Sequence, residues 1–145
     1  MSKKEDNELI QKAHKVVEPW GTKLYLIPRW SITLKLVDLF ENSAALCKVY
    51  CINPYLKAII EIRRDWIKQA DEAEAVNVLL HELVHIFLSP ITDDIEEELG
   101  KTAREWQRNN EETICDELVA VLLRMEDEEY TGIVIETGEE KSDGN

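Results

Sequence analysis

Two histidines and a glutamate in residues 77–90, NVLLHELVHIFLSP, have the types and spacing that metal chemistry requires. His81 and His85 stand four residues apart in a pattern that predicts a helix, so both imidazoles point the same way, about 6 Å apart along the axis. That arrangement suits one tetrahedral zinc ion, which imidazole nitrogens bind at about 2.0–2.1 Å. Glu82, one residue round the helix, is then predicted to be a general base and not a ligand.

The other side of this predicted helix explains how it is anchored. His81 and His85 fall nearly opposite an apolar stripe and have apolar neighbours of their own, which predicts a covered cleft. One alternative is a metal-free helix with two buried neutral histidines. Another is a structural zinc site, but such sites use four Cys or His ligands and the third histidine, His14, is distant in the sequence. The predicted core stripe consists of Val76, Leu80, Leu83 and Phe87.

A catalytic zinc needs a third protein ligand, and the sequence offers glutamates on a later predicted helix, namely Glu105, Glu111 and Glu112. Asp116 follows Glu112 by four residues in ETICD, so the two carboxylates share one helix face. Glu112 is therefore the predicted ligand, and Asp116 is predicted to hold a ligand histidine through its other ring nitrogen. Glu111 is the alternative ligand, because a small error in the helix register would exchange the two glutamates.

The elements that must position these residues are predicted from hydrophobic periodicity. A helix covers about residues 5–18 and ends at EPWG, residues 18–21. Alternating patterns in residues 24–40, 45–52 and 57–66 predict three strands. The motif helix is expected to end at Ser89-Pro90. A further helix is predicted to begin near TDDIEEE and to stop at RNN, residues 108–110. An asparagine there is expected to cap a last helix over about 111–125. These elements predict an α+β fold.

The composition of the chain indicates which functions and which cellular location to expect. With 17 basic and 30 acidic residues the net charge is -13, which opposes direct nucleic-acid binding. The sequence contains no run of about 18 uncharged apolar residues, so no membrane span is predicted. No leader-like segment is recognisable, and a cytoplasmic location is therefore expected. Three cysteines, an odd number, predict free thiols. One domain is expected over residues 1–130, followed by an acidic, flexible tail over 131–145.

HELVH followed by EETICD resembles the pattern of gluzincin-type zinc metallopeptidases, H-E-x-x-H and then E-x-x-x-D, over about residues 20–125. The chain is similar to the minimal gluzincins of bacteria and their phages, among them the ImmA/IrrE-like proteins. The resemblance implies a zincin-like fold in which an N-terminal helix and a small sheet precede the motif helix and C-terminal helices follow. It also implies an edge strand along the cleft that pairs with a peptide, and a protein substrate, with a transcriptional repressor as one candidate.

The predicted function is zinc-dependent hydrolysis of peptide bonds, with one zinc ion held by His81, His85 and Glu112. Residues 57–62, KAIIEI, are predicted to receive the substrate backbone, with an ordinary core strand as the equal alternative. The candidates for an oxyanion donor are Tyr50, Tyr55 and Tyr130.

A function of another class is a zinc-containing regulatory module that docks on a transcriptional regulator without cleaving it. Such a module needs the metal ligands but has no chemical need for a base. The presence of Glu82 therefore favours the enzyme.

Overall fold

A computed structural model describes residues 2–41, 43–98 and 101–127 of the chain. Within these ranges the fold is α+β with one three-stranded sheet, as the sequence predicts, and it contains four helices, of which the short helix Arg64–Gln69 was not predicted. The predicted tail, 131–145, lies outside the described residues. In chain order the elements are α1 (Lys3–Lys23), β1 (Ser31–Val37), β2 (Cys47–Ile52), β3 (Lys57–Arg63), α2 (Arg64–Gln69), α3 (Glu72–Glu98) and α4 (Lys101–Asp127).

The sheet is mixed and has the order β1-β3-β2. β3 pairs in parallel with β1 and antiparallel with β2, so both of its edges are occupied. Ala58, Ile60 and Ile62 of β3 alternate toward the core and are at most 1% exposed. The prediction that residues 57–62 receive a substrate backbone is therefore wrong, because a central strand has no unpaired backbone groups to offer. Among the described strands, β1 and β2 are at the two edges of the sheet.

Helices α1 and α3 pack against each other and cover one face of the sheet, α1 on β1 and α3 on β2. α1 continues past the predicted stop at EPWG, with Pro19 inside the helix. Tertiary packing outweighs the lost hydrogen bond, because Trp20 is only 8% exposed and Gly21 lies against Ile27. A Cβ atom at Gly21 would lie 2.7 Å from the Cδ1 of Ile27, so this last turn requires glycine or a shift of Ile27.

α3 also continues past its predicted end at Ser89-Pro90 and runs to Glu98. Ser89 is buried and donates to the carbonyl of Ile86 at 2.9 Å, and one turn later Asp93 accepts from Asn53 at 2.6 Å. These contacts hold the helix on both sides of Pro90. Local propensity predicted a break that tertiary contacts prevent.

α4 is continuous through RNN, so neither Asn109 nor Asn110 caps a separate helix. Gln107 is 8% exposed and donates to the carbonyl of Thr92 at 3.0 Å, which ties this part of α4 to α3. The two helices pack side by side. A single helix therefore carries every carboxylate that the sequence analysis considered for the third ligand.

The core side of α3 differs from the predicted stripe. Leu80 and Leu83 are fully buried, as predicted, but Phe87 is 51% exposed and Leu79 and Ile86 are fully buried instead. The sheet and α1 meet a wider part of this helix than one apolar stripe suggests. Within the described residues, Glu72–Asp93 is the one helical stretch long and apolar enough to cross a membrane, and Leu79, Leu80 and Leu83 within it are fully buried in the fold.

Candidate metal centre

Three predicted ligands meet at one point between α3 and α4. The Nε2 atoms of His81 and His85 are 3.1 Å apart. The carboxylate of Glu112 spans both, with one oxygen 3.0 Å from the Nε2 of His81 and the other 2.9 Å from the Nε2 of His85. The structure thus brings a carboxylate from α4 onto the paired imidazoles of α3.

The spacing of these donor atoms fits one zinc ion. Bonds of about 2.05 Å in tetrahedral geometry place neighbouring ligand atoms about 3.3 Å apart. The separations of 2.9–3.1 Å among the two nitrogens and the carboxylate oxygens are slightly shorter, so a small outward movement would admit the ion. Two imidazoles and one carboxylate are also the donor set of catalytic zinc sites that keep a fourth position open.

The other nitrogen of each imidazole contacts a carboxylate of its own. The Nδ1 of His81 lies 2.9 Å from Asp116, and the Nδ1 of His85 lies 2.8 Å from Glu111. A proton on Nδ1 donated to the carboxylate leaves the Nε2 lone pair free to bind a metal. The structure places Asp116 where the sequence analysis expected it.

Glu111, the alternative ligand, occupies a different position. It contacts the Nδ1 of His85, on the side of the ring away from the point where the two Nε2 atoms meet. Its side chain is 14% exposed whereas that of Glu112 is 59% exposed, so the inner glutamate holds the ring and the outer one reaches both histidines. Glu105, the remaining candidate, is exposed and lines neither cavity at the site.

Glu82 is the buried carboxylate beside this group, at 8% exposed. The pKa of Glu82 is raised to about 7, because burial raises it, the charge of His85 opposes the shift in part, and the charge of Glu112 adds to it. A carboxylate whose pKa lies near neutrality accepts and returns protons efficiently at physiological pH. The position predicted for the base therefore has the electrostatic environment that a base requires.

His85 has a strongly perturbed pKa of its own. Burial lowers the pKa, but hydrogen bonds to Cys115 and Glu111 and the negative charge of Glu112 outweigh it and raise the pKa to about 11. In the metal-free protein His85 therefore carries an additional proton, which must leave when a metal binds.

Cys115 is a neighbour of the site that the sequence analysis treated only as a buried free thiol. The cysteine is free and fully buried, and its sulfur lies with ligand nitrogens of His81 and His85 in a group whose atoms are within 4.8 Å of one another. These three residues could hold a metal ion. The available signal was its place in the sequence, three residues after Glu112 and one before Asp116.

The site opens into a cavity of about 740 Å³. Residues 45–50, which include most of β2, line one side of it, and His81, Glu82 and Glu112 line the other. A second cavity of about 300 Å³ adjoins the first, and Arg108 borders both. Arg108 was not among the residues predicted from the sequence, although it precedes Glu112 by four residues and so belongs to the same face of α4.

No protein-family model, curated protein or solved structure matches the chain.

Proposed function

We propose that the protein is a zinc-dependent metallopeptidase of the gluzincin type, with a zincin-like fold. One observation carries the proposal: the Nε2 atoms of two histidines and both carboxylate oxygens of Glu112 meet at separations of 2.9–3.1 Å. Glu82, a buried carboxylate with a pKa near neutrality, lines the same cavity.

Each residue has a chemical task in this proposal. Zinc, when bound by His81, His85 and Glu112, supplies a Lewis acid that polarises the scissile carbonyl and activates water. Glu82 accepts the proton of the attacking water and delivers it to the leaving amine as the C–N bond breaks. Asp116 and Glu111 keep the two imidazoles oriented by accepting their Nδ1 protons.

The substrate in this proposal is a protein segment in extended conformation. Among the described strands, β2 is at an edge of the sheet, and its residues 47–50 line the large cavity opposite the histidines. Unpaired backbone groups on such an edge can add a peptide strand and present its carbonyls to the site. A transcriptional repressor in the cytoplasm is the candidate substrate that the family resemblance suggests.

Purified Glu82→Gln protein tests the hydrolytic role. We expect it to retain about one zinc ion per chain and to lose peptide hydrolysis, whereas His81→Ala loses the metal. Cleavage products from cells that express the wild type are compared with those from cells that express Glu82→Gln. Cuts present only with the wild type support the proposal and identify the substrate; equal products from both contradict it.

Cys115 favours a second candidate function. Its sulfur and the two histidines form another possible set of metal ligands, and a combination of cysteine and histidine ligands is typical of structural zinc. The protein would then be a regulatory module that docks on a transcriptional regulator without cleaving it. In that case Glu82→Gln would leave its biological effect intact and Cys115→Ser would release zinc.

A further inference from the structure

We propose that Arg108 is a catalytic residue, which stabilises the negative charge that develops on the substrate carbonyl oxygen. The inference rests on the proposed hydrolytic function and assigns the donor that the sequence analysis left open among three tyrosines.

The position of Arg108 on α4 supports this role. Arg108, Glu112 and Asp116 follow at intervals of four residues, so the three side chains lie along one face of the helix. Glu112 and Asp116 contact the histidines from that face. Arg108 therefore extends the ligand-bearing face by one helical turn, about 6 Å from Glu112 along the axis.

Arg108 also borders both cavities at the site. The cavities of about 740 and 300 Å³ share four lining residues, namely Val49, His85, Arg108 and Glu112. These residues border both spaces. In this proposal, a peptide that lies along β2 and places a side chain in the smaller cavity has a backbone carbonyl between the two spaces, where Arg108 can reach it.

The tyrosine candidates are not in that position. Tyr50 lines the large cavity, but its side chain hydrogen-bonds with Glu61 of β3. Glu61 pairs with Lys48 of β2 in the sheet. Tyr55 is 73% exposed and lines neither cavity. Tyr130 lies outside the described residues.

Lys48 is the one other lysine or arginine that lines the large cavity. Its ammonium lies 4.9 Å from the centre of the Phe40 ring, and it does not line the smaller cavity. Among the described lysines and arginines, Arg108 is thus the one that lines both spaces.

The proposed step conserves atoms and charge. Water adds its oxygen to the carbonyl carbon, one proton goes to Glu82, and the π electrons of the carbonyl move to its oxygen. The Arg108 guanidinium donates a hydrogen bond to that oxygen and transfers no proton. When the carbonyl re-forms, the C–N bond breaks and the amine leaves with the proton from Glu82.

Kinetics of Arg108→Ala and Arg108→Lys test the assignment, with Arg124→Ala on α4 as the matched control. Substrates are peptides that the wild type cuts in a defined peptide mixture. We expect Arg108→Ala to lower kcat about 10²- to 10³-fold with little change in KM, and Arg108→Lys to retain part of the rate. Added guanidinium ion should restore part of the lost rate in Arg108→Ala but not in Glu82→Gln. A wild-type rate in folded Arg108→Ala overturns the assignment.

Binding of two inhibitors gives a readout that needs no turnover. N-phosphoryl-leucinamide carries the charged tetrahedral group of the reaction, whereas acetohydroxamate engages the metal. Arg108→Ala should weaken the phosphoryl compound about 10²-fold and leave acetohydroxamate within about twofold, at unchanged zinc content. Equal weakening of both contradicts the assignment. If the zinc-loaded wild type cuts no peptide, both the proposed function and the Arg108 assignment fail. If the wild type cuts peptides and Arg108→Ala cuts them at the same rate, the Arg108 assignment alone fails.

Discussion

At the scale of single residues, each imidazole of the candidate site lies between two carboxylates. His81 contacts Glu112 through Nε2 and Asp116 through Nδ1, while His85 contacts Glu112 through Nε2 and Glu111 through Nδ1. The carboxylate at Nδ1 fixes the tautomer and the one at Nε2 is placed to share the metal. The two roles predict different losses on mutation.

Zinc affinity should rank the three carboxylates. We expect Glu112→Gln to cost most, and Asp116→Asn and Glu111→Gln each to weaken zinc about 10- to 100-fold, because they only orient a ligand. Competition with a chromophoric chelator measures these constants, and Glu117→Gln, an exposed position on α4, is the control. A larger loss in Glu111→Gln than in Glu112→Gln would show that the roles of the two glutamates are exchanged.

Zinc affinity should also rise with pH. The pKa of His85 is raised to about 11 in the metal-free protein, so binding displaces a proton at any pH below that value. One displaced proton predicts about a tenfold gain in affinity per pH unit between pH 6 and 8. Titrations across that range measure the slope. A flat profile would contradict a protonated His85.

Glu82 should destabilise the metal-free fold at neutral pH. Its pKa rises from 4.5 to about 7, so the native state binds the proton more tightly than the unfolded chain and stability falls as pH rises from 4.5 to 7. Above pH 7, Glu82→Gln should therefore raise the free energy of unfolding, by about 3 kcal/mol at most. Below pH 4.5 the two proteins should be similar. Denaturant unfolding at pH 4 and 8 tests this sign, and a gain confined to pH 4 would contradict it.

At the scale of elements, α3 serves the core and the site with different faces. Leu83 is fully buried and Phe87, one turn on, is 51% exposed, although periodicity placed both in one stripe. Leu83→Ala should therefore lower the free energy of unfolding by about 2–5 kcal/mol, and Phe87→Ala by less than about 1 kcal/mol. Urea unfolding of the pair provides the comparison. Equal losses would show that α3 is rotated from the described orientation.

The sequence predicts the elements better than their ends and order. Three strands and the helix with His81 and His85 follow from periodicity, and the four-residue interval from Glu112 places Asp116 on the same face. The passage of helices through Pro19 and Pro90 could not be predicted, because contacts distant in sequence hold those turns.

Strand order was the other feature that local patterns could not supply. Alternation shows which side of β3 is buried, but not that β1 and β2 occupy both of its edges. The register of α4 had the same limit, since one residue of rotation decides whether Glu111 or Glu112 reaches the Nε2 atoms. Both are settled by long-range packing.

At the scale of the whole molecule, the proposed centre lies where α4 closes against α3 on one side and β2 borders the cavity on the other. The chain has a net charge of -13, and the Glu112 carboxylate contacts both histidines of the proposed centre, which favours a cation there. The same arrangement leaves the β2 edge as the place for an extended substrate. These features are the support for the proposed metal-dependent hydrolysis of a polypeptide.

The most direct test of this account measures zinc and hydrolysis together in the wild type and Glu82→Gln. Both proteins are purified without added chelator, their zinc is quantified by elemental analysis, and each is incubated with the same peptide mixture. We predict about one zinc ion per chain in both and cleavage by the wild type alone. A wild-type protein that does not bind zinc, or a Glu82→Gln protein that cleaves as fast as the wild type, would contradict the account.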